Sequence, residues 1–152
     1  MTQSAKAAIA ARKKSRRLIV QALYQSQHSD QSNHELMAQF LAFHDFGKAD
    51  TDYFKEVVGG VLSEQDELDT LIDQCSKIPI HQIDPVERGV LWLSFYELKH
   101  RMDIPYPVVI NEAIQLAKTF GADQSHRFIN ATLDKSLAEL RALELTAKRH
   151  RE

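Results

Sequence analysis

Cysteine is nearly absent from these 152 residues: Cys75 stands alone, which excludes a disulfide framework and any multi-cysteine zinc site. Glycine and proline are also scarce, at five and four, and that argues against collagen-like, low-complexity and turn-rich all-β architectures. No apolar run approaches the roughly 18 residues a membrane helix needs. The stretch Met1–Ala11 lacks the apolar core of a secretory signal. A cytoplasmic protein with no membrane partner is expected. The chain carries no Gly-rich phosphate loop, no GxGxxG, no HExxH and no nucleophile elbow. Its seven histidines are scattered without metal-ligand spacing. No catalytic residue, metal or cofactor is expected.

What is present is ordinary globular composition, 43% apolar and 26% charged. A chain of this length buries something like 70% of its unfolded surface, so it folds without a metal or disulfide. The net charge of −2 conceals a strong segregation. Between Met1 and His28 there are six cations (Lys6, Arg12, Lys13, Lys14, Arg16, Arg17) and no acid. From Glu35 to Cys75, ten acids face only Lys48 and Lys55, a local net of −8. Gathering five cations within Arg12–Arg17 costs self-repulsion, and such runs attract phosphate backbones or acidic surfaces. Near a helix N-terminus they also oppose the macrodipole, by on the order of a few tenths of a kcal/mol each.

Helical periodicity dominates the chain, and about seven short helices account for it. The first runs from about Lys14 to Gln27, with Ile19, Val20, Leu23 and Tyr24 on one face and Arg16 and Arg17 largely outside it. Others follow over about Asn33–Phe43, from a cap at Asp50 or Thr51 onward, and over Gln65–Ser76. Gly59-Gly60 interrupts the third, most simply for close helix–helix approach. Asp84-Pro85 with Glu87 reads as a capping box opening the most apolar helix, Pro85–Lys99. Val108–Phe120, capped by Gly121, and Ser125–Ala147 complete the set. The expected organisation is one all-α domain over residues 12–147. Residues 1–11 read as an arm, with its disorder left open, and 148–152 as a polar tail. Cys75 reads as a small apolar residue without an electropositive setting.

Two stretches, RRLIVQALYQSQ (Arg16–Gln27) and YPVVINEAIQLAKTFGADQSHRFINATLDK (Tyr106–Lys135), resemble the bacterial transcription antitermination factor NusB family. YFKEVVGGV (Tyr53–Val61) and VLWLSFYEL (Val90–Leu98) fit the same family, so the likeness runs in order from about Arg12 to Lys135. It implies two packed three-helix bundles with an extra helix. It also implies binding of boxA-type single-stranded RNA of rRNA operon leaders, as a heterodimer with the ribosomal protein NusE, in an antitermination complex on RNA polymerase. The family's basic motif maps onto Arg12, Lys13, Lys14, Arg16 and Arg17, and its second RNA-contacting segment onto Arg127, Phe128 and Asn130. Tyr24 and Glu87 match positions at or near the NusE contact. Ala131 stands where the family usually has glycine, and Arg127 replaces the more frequent lysine.

These residue types suit the chemistry. Cations hold an RNA backbone, an aromatic ring such as Phe128 or Tyr24 stacks an unpaired base, and the Asn130 amide reads a base edge. The competing reading is a homodimeric or larger homo-oligomeric interaction module whose basic arm contacts protein.

Overall fold

Alanine is the strongest helix former, and five of the seven residues from Ala5 to Ala11 are alanine. In the computed structural model, which describes the backbone of residues 2–151 and the side chains of 2–147, the first helix α1 accordingly runs Gln3–Ser26. The Thr2 hydroxyl caps it, accepting the Ala5 N–H at 3.0 Å. Hydrophobic periodicity places this start at Lys14 instead. Extending an existing helix needs no new nucleus, so alanine propensity alone carries α1 outward from its first buried residue, Ser15. Arg12–Arg17 therefore lies in mid-helix, and the dipole cost expected of it does not arise, because that effect fades within the first turn.

Residues up to 64 form one compact unit. In it α1 packs with α2 (Asn33–Phe43) and α3 (Thr51–Ser63). Ser32 and Asp50 cap the two shorter helices, accepting the N–H groups of Glu35 and Tyr53. Ile19, Ala22 and Leu23 of α1 meet Leu36 and Phe40 of α2 and Phe54, Val57, Val58 and Val61 of α3, all essentially fully buried. Phe40 and Phe54 stack with centroids 5.3 Å apart, and Phe46 closes edge-on against Phe54 at 4.9 Å. A Cβ at Gly59 would meet nothing within 4 Å, so close helix approach does not explain that glycine.

Residues from 65 onward form the second unit. It comprises α4 (Gln65–Cys75), a single 3-10 turn at Ile80–Gln82, α5 (Pro85–His100), α6 (Tyr106–Phe120), α7 (Ser125–Leu140) and α8 (Ala142–Arg151). Helix α5 is its centre, buried without a break from Gly89 to Leu98 and packed on α4, α6 and α7. Asp69 of α4 anchors α5 by accepting Arg88 Nη2 at 2.6 Å and Trp92 Nε1 at 2.7 Å. Gly121 follows α6 with an ordinary extended backbone. A Cβ there would collide with Ser125 Oγ and lie 2.7 Å from the Ala117 carbonyl, so glycine is needed for room rather than for a left-handed cap.

Eight α-helices are thus present among the described residues, against seven read from sequence. The expected Ser125–Ala147 helix breaks at Arg141. The break turns that side chain inward, 3% exposed, where its guanidinium donates to the carbonyls of Leu98, Ile104, Glu97 and Arg101 and to Glu144. The side chains of the 148–152 tail lie outside the described residues.

Candidate nucleic-acid interface

An α-helix turns about 100° per residue, so the cations of Arg12–Arg17 cannot all face one way. Arg12 leans back over the Tyr53 ring, 4.0 Å from its centroid, and pairs with Asp50 at 3.7 Å. Arg16, expected outside the apolar face, is only 4% exposed and lies 5.9 Å over the same ring. The tyrosine at the start of α3 supplies an electron-rich face that takes a weakly hydrated guanidinium into the α1–α3 junction. Ser15 between them donates to the Asp50 carbonyl at 2.8 Å, fixing the register of the two helices. Lys14 packs its ammonium against Gly47, which adopts φ +48°. Lys13 is half-buried and Arg17 exposed.

The second segment opens α7. Arg127 is exposed and Phe128 half-buried, and both line a cavity of about 320 Å³ together with Cys75, Lys77, Ile78, Ala131, Thr132 and Lys135. Its floor is apolar and three of its lining residues are cationic. Lys77 was invisible as a site residue in the sequence, since nothing in its spacing links the segment after α4 to α7; Lys135, seven residues on from Phe128 along α7, shares its face by helical spacing alone. Asn130 is not in this lining. It lies roughly 200° round the helix from Phe128 but only about 60° from Arg127, so the structure brings Arg127 and Phe128 together in the cavity and leaves Asn130 beside the arginine, outside the lining. Ala131, where the family favours glycine, is exposed and adds its methyl group to the cavity wall. Cys75 does have cationic neighbours, contrary to expectation. Burial, and next the Glu139 carboxylate, nevertheless push its thiol up from the usual range, against the opposing pull of Lys135.

Of the two residues expected at a protein contact, Tyr24 is 43% exposed on α1, its ring tilted against His28 at 4.5 Å. Glu87 is in the first turn of α5. The Asp84 cap forms as expected, accepting the Val86 N–H at 2.9 Å. The return half of the box is not made among the described residues. Partial burial and then the neighbouring Asp84 hold the Glu87 carboxyl above its ordinary range. Among the described residues no cluster of His, Cys, Asp or Glu could hold a metal ion, and no helix is long and apolar enough to cross a membrane.

Comparison with known proteins supplies the context for these surfaces. A model of the NusB family matches residues 13–138. The transcription antitermination protein NusB of Idiomarina loihiensis is 50% identical over 132 residues, covering 87% of this chain and 95% of that protein. Its namesake in Teredinibacter turnerae is 43% identical over 145 residues, 95% of this chain and 99% of that protein. The solved structure of T. maritima NusB superposes with a TM-score of 0.74 at 29% identity, covering 84% of this chain and 90% of that one.

Proposed function

This chain belongs to the NusB family, a family of non-enzymatic transcription antitermination factors, and from that premise we propose how its surfaces serve that role. The cavity between the end of α4 and α7 takes an unstacked base of boxA-type single-stranded RNA against Phe128. The flanking phosphates lie on Arg127, Lys77 and Lys135, and the basic face of α1 holds further backbone. The single observation that carries this reading is the composition of that cavity: an aromatic ring on an apolar floor, with three cations around it and no acid in the lining. Base–aromatic stacking contributes roughly 1–3 kcal/mol and tolerates any base, while the cations supply the salt-sensitive part of the affinity. Asn130, off the cavity, serves an adjoining nucleotide. Tyr24 and Glu87 face the ribosomal protein NusE, and the heterodimer joins an antitermination complex on RNA polymerase.

Cys75, the only thiol in the chain, reports on the cavity directly. Saturating boxA-type RNA should slow its alkylation several-fold at fixed pH, and a scrambled oligoribonucleotide should slow it less. An unchanged alkylation rate at saturating RNA would empty the cavity of this role. A stable dimer that buries α1 and excludes RNA would replace the reading with self-association.

A further inference from the structure

The cations of α1 do not form one patch. Taking Lys6 as reference, Lys13 and Arg17 fall within about 20° of the same line along the helix, separated by roughly 10 Å and 6 Å of axial rise. That line is diametrically opposite the buried one through Ser15, Ile19 and Ala22. Arg12 and Arg16, four residues apart, lie on a different flank and are both drawn onto Tyr53. Lys6 and Arg17 are exposed and Lys13 partly so. Lys6 reaches this geometry only because α1 begins at Gln3, ten residues before the matched family region opens at residue 13. The helical surface over residues 3–11 holds mostly alanines, Ile9 and Lys6, and no acid occurs before Asp30 to repel a polyanion.

We propose that α1 divides its cations into two ladders with different roles. Arg12 and Arg16 are positioning residues that seat α1 on α3 through Tyr53. Lys6, Lys13 and Arg17 form the track that holds RNA phosphates, and the helical extension Gln3–Ala11 is part of that track. The inference rests on the RNA-binding reading above and assigns its residues differently from the basic motif as a whole. A guanidinium stacked on a ring and paired with Asp50 must break both contacts to reach a phosphate, whereas Lys6 and Arg17 project into solvent.

The salt dependence of binding to a labelled boxA-type oligoribonucleotide separates the two ladders. Each lost phosphate contact on a single strand reduces the slope of log K against log salt by about 0.7. Lys6→Gln and Arg17→Gln should each flatten the slope by that amount and leave the melting temperature of the free protein unchanged. Arg12→Gln should leave the slope unchanged and lower the melting temperature. Arg12→Lys keeps the charge but not the planar stack, so it should lower the melting temperature too, with the slope intact. Arg16→Gln is buried enough to risk unfolding, and the other variants decide the matter without it. A flattened slope in Arg12→Gln, or an unchanged slope in both Lys6→Gln and Arg17→Gln, would overturn the division while leaving RNA binding itself standing. Absence of any salt-dependent binding by the unaltered protein would instead remove the RNA reading, and this inference with it.

Discussion

Replacing Arg141 by methionine should be among the most damaging single changes in the second unit. The guanidinium is 3% exposed and serves the carbonyls that end α5 and its following turn. Two of its four carbonyl partners are insured, because Glu97 O also accepts the Arg101 N–H and Arg101 O the Ile104 N–H. Leu98 O and Ile104 O have no such second donor among the described backbone contacts. A buried carbonyl left unsatisfied costs about 1–3 kcal/mol. Two of them, with the freed Glu144 carboxylate, put the loss at about 3–5 kcal/mol, the range typical of breaking a buried charge pair. For a chain of this size that is roughly 6–20 °C in melting temperature. Glu144 also accepts the Tyr106 N–H at the start of α6, so the same change loosens α6 and α8 together. Urea denaturation followed by circular dichroism measures the difference. Arg141→Lys should recover less than half of it, since one ammonium cannot serve carbonyls arranged around a planar fork. A loss below about 1 kcal/mol for Arg141→Met would refute the account of the α7–α8 break, because neither carbonyl would then have depended on it.

Gly121→Ala should destabilise the protein by about 1–3 kcal/mol through overpacking against Ser125 and the Ala117 carbonyl; a neutral result in the same urea titration would show that the α6–α7 turn relaxes freely. Phe128→Ala should weaken RNA binding by roughly 5–150-fold, the loss of one stacked base. It should spare the fold, since the ring is half-buried. Unchanged affinity together with a collapsed melting curve would return Phe128 to the core. Glu87, whose carboxyl burial raises above its ordinary range, favours the protonated folded state. Its penalty is absent below the ordinary carboxylate pKa and grows as pH rises from there through the folded value. Glu87→Gln should therefore be more stable than the unaltered protein at pH 7 and equal to it in acid, and the reverse order at pH 7 would contradict the assignment. The same variant should bind NusE less tightly.

Much of this architecture was legible in the sequence where one signal acted alone. Asn33–Phe43 has both limits where periodicity puts them, and Asp50 and Asp84 cap the helices their side chains predict. Legibility failed where two preferences competed. The start of α1 followed alanine propensity rather than the hydrophobic pattern, so the arm over residues 1–11 is helical from Gln3. The interruption at Arg141 has no local cause, since nothing nearby breaks a helix; its cause is the set of carbonyls at the far end of α5, remote in sequence. The site divides in the same way. Arg127 and Phe128 were readable as a pair on one helix, whereas Lys77 joins them only through the packing of α4 on α7. Arg16 looked solvent-facing because a pattern of apolar residues counts every charge as exterior, and only Tyr53, thirty-seven positions away, reveals otherwise.

Fluorescence anisotropy of a boxA oligoribonucleotide and a scrambled control, each with and without NusE across a salt series, tests the central claim most directly. The account predicts tighter binding to boxA than to the scramble, strengthened by NusE and weakening steeply with salt. Equal, weak binding to both RNAs that NusE does not alter would contradict it.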